Sequence, residues 1–183
     1  MRFIQITDLH LVDPARSDAA RQHAAFIASG LRTVAERFGD VACCGITGDL
    51  TDRGEEAAYR VLQEQLVALP FPVLTLLGNH DDRAAYLRVF GGADEHGFVQ
   101  SVFCGEGVRL ISLDTHLPGS DAGRLCDLRL DWLRRQLVEA GDTPVLLFMH
   151  HPPCEIGDPV LDAIRLENAE QFQEVVREFP SVR

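Results

Sequence analysis

Apolar residues recur along the chain in two rhythms. Short runs rich in Val, Ile and Leu fall at residues 3–6, 41–47, 73–77 and 145–149. Their length and residue types predict strands buried in a sheet. Between them the spacing is helical. Ala20, Ala24, Ile27, Leu31, Val34 and Phe38 recur at steps of four and three, which places them on one face of a helix. Ala58, Leu62, Leu66 and Leu69 mark a second helix, stopped by Pro70 and Pro72, and residues 83–90 a short third. Leu130, Leu133 and Leu137 mark another. Ala169, Phe172, Val176 and Phe179 mark the last, with Asn168 as its N-cap, Gln171 three residues on and Pro180 as its stop. Residues 98–104 and 108–113 predict a hairpin turning at Gly105-Glu106-Gly107. Residues 119–123 and 154–159 predict surface loops. The order is mostly βαβ, so the fold class is α/β, with helices layered over a central sheet. At 183 residues, with no repeat or linker, one domain over 1–183 is expected.

The polar residues matter by position. Asp8 and His10 follow the first strand, Asp49 the second, Asn79 and His80 the third, and His150 and His151 a later one. In open α/β sheets, ligands bind outside the carboxyl ends of the strands. A lone Asp after a strand is ordinarily a helix N-cap, and a lone His there is ordinarily structural; His23, His96 and His116 read that way or as surface residues. Four strand ends bearing metal-ligand types together are a different matter. Carboxylate, amide oxygen and imidazole suit Zn, Fe, Mn or Co, and no Cys stands among them. On an extended segment Asp8 and His10 point the same way while Leu9 turns to the other face. Gly48 and Gly78 remove a Cβ where backbone and metal would approach closely.

Composition adds limits. Apolar residues are 46% and charged residues 25%, ordinary for a globular chain. The formal charge of −11 lacks the basic footprint of a nucleic-acid binder and argues against docking on anionic lipid. An anionic substrate needs a local positive centre, which bound metal supplies. Five cysteines, an odd number with no CxxC, suit reduced thiols. No signal peptide or membrane-spanning run is evident, and a cytoplasmic protein is expected.

Taken in order, Asp8-Leu9-His10, Gly48-Asp49-Leu50-Thr51-Asp52-Arg53-Gly54, Gly78-Asn79-His80-Asp81 and His150-His151-Pro152-Pro153 resemble the blocks of the calcineurin-like metallophosphoesterases. The set DxH…GDxxDxG…GNHD is highly specific, and the resemblance covers essentially the whole chain. Within the superfamily the chain is similar to bacterial class III cyclic-nucleotide and glycerophosphodiester phosphodiesterases, through residues 149–153, 123–137 and 161–179. The resemblance implies an α/β/β/α sandwich and two metal ions. Asp8 and His10 would hold the first, Asp49 would bridge, and Asn79 and His150 would hold the second. His80 would be catalytic, over the substrate, and Asp52 or Asp81 would orient these groups. Two cations roughly 3.5–4 Å apart bind phosphoryl oxygens and acidify a bridging water. The implied partner is a small phosphodiester, a cyclic nucleotide such as cAMP or a glycerophosphodiester, with no nucleic acid and no membrane; related enzymes are often dimers or larger. Arg53 and Arg83 flank the motifs, as phosphate contacts or as surface charges.

One family block, GHxH, occurs nowhere in the 183 residues. It normally supplies a further histidine to each metal. The expectation is a C-terminally truncated member with a strand fewer, weaker metal affinity and low activity. The alternatives are a phosphomonoesterase or protein phosphatase of the same superfamily, and an inactive metal-binding remnant. A nuclease is disfavoured by the acidic charge.

Overall fold

A computed structural model describes residues 1–183. The elements run β1 (Phe3–Ile6), α1 (Asp18–Phe38), β2 (Cys43–Thr47), α2 (Glu56–Val67), β3 (Val73–Leu76), α3 (Arg83–Phe90), β4 (Ser101–Gly105), β5 (Val108–Ser112), α4 (Asp127–Ala140), β6 (Val145–Phe148), α5 (Pro159–Ala163) and α6 (Ala169–Arg177). They form two three-stranded sheets. The first is parallel, in the order β1-β2-β3, with Ile4 opposite Cys44 and Cys44 opposite Val73. The second has the order β4-β5-β6, antiparallel between β4 and β5 and parallel between β5 and β6. The single central sheet expected from the βαβ order is instead two sheets, because β3 pairs only with β2 and the expected hairpin pairs onward with β6 rather than with β3.

Each sheet has its own helical cover. Ala24, Ile27 and Leu31 of α1, Ala58, Tyr59 and Leu62 of α2, and Tyr86 of α3 pack with Cys44 and Ile46 of β2. Leu130, Leu133 and Leu137 of α4 and Phe172 and Val175 of α6 pack with Ile111 and Val145. The sheets touch through Phe3 and Phe148, whose rings meet edge-on at 5.6 Å. The result is the α/β/β/α layering expected. β2 is buried on both faces: the adjacent Cys43 and Cys44 are both inaccessible, both are free thiols, and burial pushes the Cys44 thiol up to about 11. Such thiols are inert. No helix is long and apolar enough to cross a membrane.

Several local expectations need correction. The apolar face of α1 closes at Leu31; Val34 is only half-buried and Phe38 is exposed. The hairpin strand begins at Ser101, not at 98, because the Asp94 side chain takes the Phe98 N–H (2.8 Å) and the Gln100 amide (2.6 Å). Asn168 occupies the N-cap position of α6 without capping it. Its side chain instead accepts from Leu125 N (3.0 Å) and donates to Leu125 O (2.7 Å), fastening α6 to the chain before α4. Residues 154–159 are exposed as expected, but α5 follows at once, started by Pro159 and capped by Asp158. Gly123 is buried, and a Cβ there would strike the His151 ring.

Just past β5 lies an ion-pair cluster that no motif announced. Asp114 is fully buried and accepts a two-pronged contact from Arg83, Nε at 2.6 Å and Nη2 at 2.8 Å. Arg129 Nη1 donates to the carbonyls of Asp114 (2.6 Å) and His116 (3.2 Å), and the two guanidinium groups flank the Phe98 ring. Arg83 is thus a tether between the two halves, neither a phosphate contact nor a free surface charge. Arg53 is exposed beside Asp52.

Burial, and then the neighbouring Arg83, hold the His116 imidazole below its ordinary pKa. The unfolded chain therefore binds a proton near pH 6.5 that the native chain refuses. The stability from neutral His116 is present above that pH and is lost as pH falls below it. Urea denaturation at pH 7.5 and pH 5.5 should show a smaller acid loss for His116→Leu than for the parent chain. Equal losses would show that His116 takes no part.

Candidate metal centre

The chain beyond β1 and the chain beyond β2 stay paired after the strands end. Asp8 N donates to Gly48 O (3.2 Å), His10 N to Asp49 O (2.8 Å) and Leu11 N to Leu50 O (3.1 Å). Asp8, His10 and Asp49 all take left-handed backbone, with φ of 58°, 45° and 48°. A side-chain-bearing residue in that region costs about 1 kcal/mol, and such residues gather at functional sites. Asp8 and His10 do converge, but not by the extended alternation that the sequence suggested. The left-handed turns aim them, and Leu9 packs against the core as expected.

The convergence is tight. His10 Nε2 lies 3.4 Å from Asp49 Oδ2 and 3.8 Å from Asp8 Oδ1. On the other side of Asp49, Oδ1 lies 3.5 Å from His150 Nε2 and accepts from His80 N at 3.0 Å. Asn79 Oδ1 lies 3.2 Å from the same His150 Nε2. The two oxygens of the buried Asp49 carboxylate are thus divided between two groups, Asp8/His10 and Asn79/His150. His150 Nδ1 lies 3.0 Å from Thr47 O. A carbonyl only accepts, so Nδ1 carries the proton and the Nε2 lone pair faces the cluster.

His80 stands at the rim, its ring edge-on to His10 at 4.6 Å. Its Nδ1 donates to the Asp52 carbonyl (2.9 Å), which raises its pKa, with the Asp49 and Asp52 carboxylates adding to the rise. Neighbouring His151 is buried and neutral, its pKa pushed down to about 3 by burial and then by His150. It is tied to Thr115 Oγ1 at 2.7 Å and fills space rather than joining the cluster. Thr115 and Asp114 escaped the sequence reading although they follow a strand at the same sheet edge; position was the available signal, with no motif to reinforce it.

Two glycines permit the approach. A Cβ on Gly48, at φ 97°, would run into the His150 ring, and one on Gly78 would overlap the Asp49 carboxylate and backbone. The close neighbour is therefore another loop of the protein, not only a metal. Asp81 fixes the loops relative to each other. Its buried carboxylate accepts from Leu50 N (3.1 Å), Thr51 N (3.1 Å), Gly78 N (2.9 Å) and Tyr59 OH (2.8 Å). Burial pushes its pKa up, and these donors pull it back.

Oxygen and imidazole donors, with no thiolate and with carboxylates crowded onto one buried oxygen pair, suit hard or borderline divalent cations. Asp8, His10 and Asp49 present ligand atoms within 4.8 Å of one another. The cluster opens into a cavity of about 500 Å³.

An α/β/β/α sandwich with such a cluster at its strand ends defines a metal-dependent phosphoesterase architecture. The chain belongs to the calcineurin-like phosphoesterase family, whose model matches residues 1–176. It is 37% identical over 181 residues to a probable cyclic nucleotide phosphodiesterase of Rhodopseudomonas palustris, covering 96% of this chain and 66% of that protein. It is 35% identical over 145 residues to a glycerophosphodiester phosphodiesterase of Enterobacter lignolyticus, covering 75% and 51%. A 3′,5′-cyclic adenosine monophosphate phosphodiesterase of Escherichia coli K12 is 30% identical over 193 residues, covering 100% and 66%. The chain thus spans between about half and two thirds of the length of these relatives. A dimetal phosphatase from Danio rerio shares the fold, with a TM-score of 0.73 at 18% identity over 98% of this chain and 78% of that one.

Asp81→Asn should leave buried N–H groups facing an NH2 group, a loss of about 2–3 kcal/mol. It should also loosen Asp49 from Asn79, so that metal affinity falls with stability. Denaturant titration and isothermal titration with Mn²⁺ measure both. Unchanged stability would mean that the clamp is dispensable.

Proposed function

We propose that the chain is the catalytic portion of a metal-dependent phosphodiesterase acting on a small diester, a cyclic nucleotide or a glycerophosphodiester. The observation that carries this is the division of the two Asp49 oxygens between two groups of donors. In this reading Asp8 and His10 would hold one ion and Asn79 and His150 the other, with Asp49 available to both. The candidates by donor type are Fe, Mn, Zn and Co. When bound, two such ions would offset the negative charge of the diester and acidify a water for attack on phosphorus.

The chain's own residues do the rest. Asp81 holds the two loops at a fixed separation. The Thr47 carbonyl sets the tautomer of His150. His80, exposed at the rim with Nδ1 occupied by Asp52 O, has Nε2 free to protonate the departing alkoxide. The net charge of −11 supports a small substrate over nucleic acid, because the chain as a whole lacks the excess of basic residues that phosphate-backbone binding uses.

With Mn²⁺ added, the purified chain should hydrolyse bis(p-nitrophenyl) phosphate. Asp49→Ala should remove both bound metal and turnover. His80→Ala should keep the metal, measured by mass spectrometry, and lower kcat about 10²-fold or more. Metal content and turnover that survive Asp49→Ala would overturn the reading.

A further inference from the structure

One wall of the cavity is the cluster of Asp8, His10, Asp49, Asn79 and His80. The rest of the lining is mixed, with His150 and His151 beside the apolar Met149, Pro152, Leu161 and Ile164. Leu161 is 42% exposed. It belongs to α5, in a strap that leaves the body at Pro152 and returns at Leu166.

The strap is fixed at both ends. Leu166 is fully buried, and its N–H donates to Pro152 O at 3.0 Å. Gln173 Nε2 donates to Pro153 O at 2.7 Å. The charged side chains of the strap find partners within it. The Asp162 carboxylate accepts from Ile156 N (2.8 Å) and Gly157 N (3.2 Å), Asp158 from Val160 N (2.8 Å), and Arg165 pairs with Glu155. Deeper in the cavity, Gln5 and Thr47 are likewise bonded to each other at 3.0 Å. What the strap offers the cavity is therefore aliphatic surface in water, fixed in place, beside a centre suited to phosphate. Such surface gains by covering a flat, weakly hydrated group and gains little from hydroxyls or an ammonium group.

Resting on the phosphodiesterase reading, we propose that Leu161 and Ile164, backed by Met149 and Pro152, seat the ring of a nucleobase or aryl ester while its phosphoryl group sits at the Asp49 cluster. The strap then selects nucleoside diesters over glycerol diesters. This is a specificity role, separate from the chemistry at phosphorus. It calls for aliphatic carbon at these two positions, not for any particular charge.

The test compares 3′,5′-cyclic AMP with glycerophosphoethanolamine on the 183-residue chain loaded with Zn²⁺. Leu161→Asn and Ile164→Asn should each raise KM for the cyclic nucleotide about tenfold relative to KM for the glycerol diester, with kcat holding. Val160→Asn, on the same helix but outside the cavity lining, should leave that ratio alone. A ratio unmoved by Leu161→Asn, or a parallel loss on both substrates, overturns the seat. Saturation-transfer NMR with cyclic AMP decides the case independently of turnover. The purine H2 and H8 protons should receive more saturation than the ribose protons, and lose it in Leu161→Asn. Absent or unaltered purine saturation overturns the seat. If the parent chain hydrolyses neither diester while the purine contact is present, the hydrolase reading fails and the seat stands.

Discussion

The arrangement at the strand ends depends on one buried carboxylate. Asp81 lies at the end of the loop that carries Asn79 and His80, and accepts from the backbone of the loop that carries Asp49. A buried charge is tolerable only when its lone pairs are filled, and here backbone and hydroxyl donors fill them. The same bonds set the distance between two loops of the cluster that belong to different strands. Tyr59 couples this clamp to the helical layer: its hydroxyl donates to Asp81 and accepts from Asp82 N, while its ring is buried in the first core. Core packing and site geometry are thus one system.

The clamped loop of Asp49 and the loop of Asp8 and His10 paired to it carry unfavourable features that a metal would relieve. Asp8, His10 and Asp49 lie in left-handed backbone, and Asp8, Asp49 and Asp52 crowd around one imidazole. Without a cation, like charges at these separations repel and the strained turns hold no ligand. A cation that binds only the native arrangement stabilises it in proportion to its concentration over its dissociation constant. The strain is therefore a form of preorganisation, set by the paired loops and by Gly48 and Gly78, which let the loops close on His150.

Much of this was legible in the sequence because it rests on periodicity and position. The helical faces of α2 and α4, and the placing of Asp8, Asp49, Asn79 and His150 just past strand ends, follow from spacing and position, although His150 comes from the second sheet. What was not legible depends on long-range choices. The hairpin β4–β5 begins at Ser101 because Asp94 takes the preceding N–H. Asn168 gives up its cap because Leu125 lies within reach. Asp114 gathers Arg83 and Arg129 across the molecule, a pairing that spacing cannot announce. The left-handed turns at Asp8 and His10 are imposed by the neighbouring loop, against local preference.

The acidic character of the chain then takes on a meaning that composition alone did not give. A net charge of −11 disfavours phosphate on average, and bound cations would reverse the sign locally. If the substrate is the diester proposed, attraction at the cluster would be the same for every phosphodiester, and discrimination would come from the groups that flank phosphorus, where the strap of α5 meets the cavity. The strap's aspartates are tied up in its own turns, and two of its aliphatic groups, Leu161 and Ile164, line the cavity. In the proposed reading the strained loops would supply the chemistry at phosphorus, and the short α5 strap would supply the choice among the groups that flank it.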